Sequence, residues 1–313
     1  MIPLGIRIYG LGAIATGLVG LAWGDFALQW EPVAANFPGR TVLAYIFSAL
    51  LVIAGMALNW RRSSALGTAV LVCLYAVVVV LMHGAQIAQQ PLSFGAWDGA
   101  AEQLALLAGG LAAYACLAAT AHARLGADGP GAADATATHD TPAGGRGVTA
   151  AGRHGQAPHS ALASRVALIC MGVCLLMFGI AHFLYLDFTA SLVPAWLPGG
   201  QKFWAVFTGV AHIAAGIAVL SGIKARLAAI LLTVMFASFS VLVHLPTLIS
   251  APYMHLNWVT NAINLSLTGA AWTIVTTLTP RNTRREDRVP SRPAAGVAHT
   301  SFAGDGIRRG QES

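Results

Sequence analysis

The sequence predicts an all-α, polytopic membrane protein with eight transmembrane helices, arranged as two parallel-repeat four-helix bundles. Three observations predict it. Of the 313 residues, 56% are hydrophobic and only 10% are charged, whereas soluble domains carry about 25% charged residues. The charge-free stretches are long enough to cross a bilayer, which takes roughly 20 apolar residues. The second half of the chain also repeats residues of the first half.

Long charge-free stretches define the spans. The stretch 227–280 must hold two of them, because Pro246 and Pro252 lie in its middle among small and polar residues, which is typical of a turn. The eight predicted spans are 4–24, 41–60, 64–84, 101–121, 165–186, 203–222, 227–246 and 258–279. They group into a first unit (1–121), a flexible linker (122–163), a second unit (164–280) and a disordered basic tail (281–313).

The basic residues indicate an orientation. Of the 18 Lys and Arg residues, all but Arg40 and Lys202 fall on one side of the predicted spans. The positive-inside rule then places both termini and the linker in the cytoplasm. The net charge of +6 is therefore attributed to orientation and to contact with anionic lipid, and no nucleic-acid partner is expected.

An internal repeat relates the two units. A shift of 161 or 162 residues aligns elements of the first half with the second in the same order. Each unit has four spans, an even number, so both enter the membrane from the same side, which predicts a parallel repeat. The aligned pairs include His83 with His244, Pro91 with Pro252, Trp97 with Trp258, and Asp25-Phe26 with Asp187-Phe188.

Several short motifs of the second unit occur together: His182-Phe183, the loop 193–198, Thr208-Gly209, His244-Leu245-Pro246 and Asn257-Trp258. With them, the second unit resembles the DoxX family of small four-helix bacterial membrane proteins. The first unit resembles it more weakly, through Asp25, Pro38, His83 and Trp97. The resemblance implies a subunit associated with thiosulfate:quinone oxidoreduction or another membrane redox complex. Glu102 looks like a family acidic position, and its counterpart in the second unit is Ile263.

Polar side chains within the spans mark a candidate ligand-binding site, because polar groups in hydrocarbon need a partner, a cavity or a function. On the last span Asn257, Asn261 and Asn264 share one helix face. The first unit lacks most of this set, so we expect the second unit to hold the site and the first to be mainly structural. The candidate residues are His182, His212, His244, Asn257, Asn261, Asn264 and Trp258.

Three interpretations of the histidines compete. In the first, they form hydrogen bonds between helices, as buried polar side chains in bundles usually do. In the second, they line a pocket, open toward the periplasm, in which histidine and asparagine donate hydrogen bonds to the carbonyl oxygens of a quinone. In the third, two of them ligate a metal or a haem, which is less favoured because neither a haem-attachment motif nor a dense metal-binding motif is present. No metal site is predicted, since no dense metal-binding motif occurs.

These observations predict an integral membrane subunit or accessory of a redox system that binds quinone. Its partners would be the lipid bilayer and a redox partner protein. The alternative is a non-enzymatic small-molecule transporter or membrane scaffold. No nucleophile elbow, phosphate-binding loop or zinc-hydrolase pattern occurs, so the sequence assigns no catalytic residue.

Overall fold

The computed structural model describes residues 2–127 and 158–279, and these residues fold into helices without any strand. The helices are α1 (Leu4–Trp23), α2 (Arg40–Asn59), α3 (Ser64–Val77), α4 (Gly84–Gln89), α5 (Phe94–Ala127), α6 (Pro158–Leu184), α7 (Leu186–Leu192), α8 (Gln201–Ser221), α9 (Ala225–Phe239), α10 (Leu245–Ser250) and α11 (His255–Thr277). The predicted all-α class is confirmed for this part of the chain.

Seven helical stretches of the described residues are long and apolar enough to cross a membrane, which indicates a multi-pass helical membrane protein. Two of them are composite, because α3 continues into α4 and α9 into α10. The eighth predicted span corresponds to α11, which is 23 residues long but is not among the seven. More than half of its residues are buried by other helices, and that protein environment tolerates its asparagines and threonines.

Helix packing runs continuously across the two halves of the chain. Helix α11 packs along α1, and α5 packs along both α6 and α11. A Cβ atom added at Gly269 would overlap the backbone of Tyr9, so α1 and α11 approach as closely as backbones can. The described residues, 2–127 and 158–279, accordingly belong to one compact unit, and their helix contacts do not divide into two separate bundles.

The ends of the predicted linker are helical. Helix α5 extends through Ala127, and α6 begins at Pro158. Both helices therefore extend into the predicted linker, beyond the predicted unit boundaries at 121 and 164. The rest of the linker, and the tail from 280 onward, lie outside the described residues.

A π-helical segment interrupts the third span of each half. Val78–His83 follows α3, and Ser240–His244 follows α9. Pro246 is the second residue of α10 and directly follows the π-helical segment, so the helical span is interrupted there without ending. The turn predicted between Pro246 and Pro252 is therefore shorter than expected, and the chain leaves the helix only at Ala251.

Other local features recur at equivalent positions of the two halves. Asp25 pairs with Arg40, and Asp187 pairs with Lys202 at 2.8 Å. The indole N–H of Trp97 donates to the Pro91 carbonyl at 3.0 Å. Similarly, the indole N–H of Trp258 donates to the Pro252 carbonyl at 2.8 Å.

Candidate ligand-binding site

A cavity of about 700 Å³ lies among α5, α6, α8, α9 and α11. Its walls are mainly apolar, as is usual for small-molecule sites, with a small number of polar groups. Aromatic side chains form much of the surface: Trp30, Phe178, Trp204, Phe207, Phe236 and Phe239. The site is therefore suited to a flat or apolar molecule with a few polar atoms.

Two histidines stand side by side in this cavity. The ring centroids of His182 and His212 are 4.9 Å apart, with the rings tilted by 42°. Their helices α6 and α8 approach closely, since a Cβ added at Gly179 would lie 2.8 Å from the Gly209 carbonyl oxygen. Small residues at the helix crossing thus bring the two imidazoles together.

Hydrogen bonds to the helix backbone fix the proton on each of these rings. His182 Nδ1 lies 2.7 Å from the Phe178 carbonyl oxygen, and His212 Nδ1 lies 2.9 Å from the Thr208 carbonyl oxygen. A carbonyl only accepts, so each Nδ1 carries the hydrogen. In the neutral ring Nε2 then holds a lone pair. The pair therefore offers two neighbouring hydrogen-bond acceptors.

Asn264 and His244 complete the predicted residues that line the cavity. The Asn264 amide donates to the Phe236 carbonyl at 2.8 Å and to the Ser240 hydroxyl at 2.6 Å. This ties α11 to the start of the π-helical segment Ser240–His244. The wider helical turn leaves backbone groups in need of partners, and Asn264 supplies one.

The other three predicted residues lie outside the lining. The Asn257 amide donates to the carbonyls of Thr247 and Ala251, both at 3.0 Å, and so fastens the turn before α11. Trp258 donates to Pro252 and packs against Trp23. Asn261 is half-buried on α11 and does not reach the cavity. A shared helix face did not bring all three asparagines to one site.

The first half contributes to the cavity, contrary to the expectation that it is mainly structural. Asp98 and Glu102 on α5 line it, together with Trp30 from the loop after α1. The Asp98 Oδ1 atom is buried and has no hydrogen-bond partner among the described residues. The indole N–H of Trp30 lies beside the Glu102 carboxyl without a well-formed hydrogen bond.

A network in the first half holds Trp30 in place. His83 Nε2 donates to the Trp30 carbonyl at 3.2 Å, and the neighbouring Glu31 carboxylate accepts the Ala27 N–H at 2.8 Å. Glu31 is buried in the loop outside the apolar spans, and burial together with the nearby Asp25 charge raises its pKa to about 7, against the effect of the Ala27 hydrogen bond. His83 thus lies outside the cavity lining and contacts the backbone of a lining residue, Trp30.

The sequence contains a pattern that could have identified Asp98 and Glu102, which were not among the candidate site residues. Ionisable side chains within or at the end of an apolar span are costly and mark functional candidates. Asp98 and Glu102 begin the fourth apolar stretch and are spaced one helical turn apart. What the sequence could not supply is the contact between α5 and α6, which carries these acids to the second half.

No three His, Cys, Asp or Glu side chains within 2–127 and 158–279 come together in a way that could hold a metal ion. The histidine pair therefore has no third protein ligand of these types nearby.

Comparison with known proteins gives one match. Residues 171–272 match the family model described as a domain of unknown function, DUF8561. The matched segment runs from α6 into α11 and contains the histidine pair, whereas Trp30, Asp98 and Glu102 lie outside it. No curated protein and no solved structure matches the chain.

Proposed function

We propose that this protein is a membrane subunit or accessory of a bacterial redox system and that its cavity binds a molecule of the quinone class. The observation that supports this proposal is the composition of the cavity walls. A quinone head group is flat, with apolar faces and polar edges. The aromatic walls suit its faces, while the His182–His212 pair and the carboxyls on α5 suit its edges.

Eight spans and a duplicated four-helix unit are part of this proposal. Helix α11 would be the eighth span, at 23 residues. The recurring ion pairs, tryptophan hydrogen bonds and π-helical segments support the duplication. A second unit that resembles the DoxX family would explain a redox association, and the charge distribution supports cytoplasmic termini in a bacterial inner membrane.

The proposal is tested by measuring which quinone-class molecules remain bound when the protein is purified from its own membrane. The full chain is purified in mild detergent, and the solvent extract is searched for quinones by mass spectrometry. We expect near-stoichiometric quinone and quinol, counted together, on the wild-type protein and several-fold less on His212→Phe, because the polar edge contact is lost.

His255→Phe is the matched control. His255 stacks on Trp23 at 5.0 Å and does not line the cavity, so its substitution should leave the quinone content unchanged. Quinone present only in proportion to total lipid, and equal in all three proteins, would refute the proposal.

A transporter is the second candidate, and the π-helical segments favour it. Ser240–His244 interrupts a span directly at the cavity, since His244 is in the lining, and broken helices are common at transporter binding sites. A cysteine at Val243, in a cysteine-free background, would separate the two functions. In a transporter an impermeant thiol reagent should reach it from either side of the membrane, and in a binding subunit from one side.

A further inference from the structure

We propose that the cavity selects the reduced dihydroxy form of the ligand, the quinol, over the oxidised quinone. This rests on the proposed function and names which redox form the site holds. The quinol has two O–H donors, whereas the quinone has only acceptor oxygens. The directions of the hydrogen bonds in the cavity wall decide between them.

Most donors on the wall are already used within the protein. His182 and His212 each donate through Nδ1 to their own helix. The hydroxyls of Thr208 and Thr260 donate to backbone carbonyls of their own helices, at 2.8 and 3.0 Å. Both amide hydrogens of Asn264 are engaged. These groups have only acceptor atoms left for a ligand.

The first half adds further acceptors. Asp98 Oδ1 is buried without a hydrogen-bond partner, and an unsatisfied buried polar atom destabilises the protein. A ligand hydroxyl would relieve that cost. The donors that remain are the indole N–H of Trp30, which has no hydrogen-bond partner among the described residues, the hydroxyls of Tyr185 and Thr189, and one nitrogen of His244. They are fewer than the donors already engaged, and none of them belongs to the histidine pair.

The histidine pair discriminates most strongly. Two Nε2 lone pairs on rings 4.9 Å apart repel a quinone carbonyl, whereas a quinol hydroxyl donates to either. Charging these rings would turn them into donors, but an imidazolium within an apolar span is costly. The neutral, accepting pair is therefore the form that meets the ligand.

The test compares two probes, a short-chain 1,4-benzoquinol kept reduced under argon and the matching 1,4-benzoquinone. Dissociation constants are measured on the full chain in lipid nanodiscs. We expect the quinol to bind about tenfold more tightly, the effect of one or two net hydrogen bonds. In His212→Phe and in His182→Phe the preference should fall to about twofold or less.

His255→Phe should keep the tenfold preference, and an unchanged melting temperature of each variant establishes that it is folded. Equal affinity for the two probes, or a preference that survives both cavity substitutions, would overturn the selection while leaving quinone-class binding in place. If neither probe binds the wild-type protein, the proposed function fails and this inference fails with it.

Discussion

Individual side chains show which parts of the candidate site can be predicted from the sequence. Polar residues in apolar spans identified His182, His212, His244 and Asn264, all of which line the cavity. The same criterion selected Asn257, whose amide is consumed by the carbonyls of a neighbouring turn. Periodicity predicts which face of a helix a residue occupies, but the partner of its side chain depends on the neighbouring loop. Asp98 and Glu102 on α5 were not among the candidate site residues for the corresponding reason, since their contact with the second half depends on how the helices pack.

Glu31 gives a prediction about pH. Its folded pKa of about 7 lies above the usual value of 4.5, so the stabilisation of its protonated form is present below about pH 4.5 and is lost as the pH rises through 7. The difference corresponds to about 3 kcal/mol. Glu31→Gln stays neutral and can still accept the Ala27 N–H. In thermal melts the wild-type protein should lose stability between pH 5 and pH 8, and Glu31→Gln should lose much less.

Asp187 serves as the matched acid on the opposite half. Its carboxylate is exposed, and the hydrogen bond and charge of Lys202 hold its pKa below the usual range. Asp187→Asn should therefore leave the slope between pH 5 and pH 8 as it is in the wild-type protein. A wild-type slope that persists in Glu31→Gln would show that burial of Glu31 does not cause it.

Whole helices were easier to predict than their interruptions. The first, second and sixth spans differ from the helices α1, α2 and α8 by only one or two residues at either end, because charge-free length is read directly from the sequence. The π-helical segments leave no such pattern: His83 and His244 mark their ends, but their neighbours are ordinary apolar residues. The sequence also gives no direct sign that α11 is enclosed by other helices.

The contact between α1 and α11 gives a prediction about packing. Gly269→Ala would push a methyl group into the backbone of Tyr9. Overpacking of this kind costs roughly 1–3 kcal/mol, so the melting temperature should fall by several degrees. Gly84 is the matched glycine, since a Cβ there meets nothing nearer than 3.8 Å and its backbone is helical. Gly84→Ala should be neutral or slightly stabilising. Equal effects of both substitutions would argue against the close α1–α11 approach.

At the scale of the molecule, the two halves share one core and one cavity. The repeat suggested two similar bundles with a site in the second. Instead α5 of the first half packs on α6 and brings Asp98 and Glu102 into the lining. Contacts between halves are not encoded by the repeat, because a repeat describes each unit alone. They depend on the surfaces where the units meet, and single-sequence patterns do not specify these surfaces.

The orientation in the membrane gives a prediction for intact cells. Leu92 and Tyr253 are 98% and 80% exposed in the turns before α5 and α11. In a cysteine-free background, Leu92→Cys and Tyr253→Cys should both react with an impermeant thiol reagent added outside. Arg62→Cys, in the exposed turn between α2 and α3, should react only after the membrane is opened. The reverse pattern would invert the orientation inferred from the basic residues.

The central claim is that one cavity, built from both halves, binds a quinone-class ligand. Photoaffinity labelling with an azido-benzoquinol, followed by peptide mass spectrometry, tests it most directly. The account predicts labels on α5 near Asp98 and Glu102 and on α6 or α8 near the histidine pair. Excess unlabelled quinol should suppress them, and His212→Phe should weaken them. Labels confined to exposed apolar residues outside the cavity, such as Ile53 and Ile217, and insensitive to competitor, would contradict the claim.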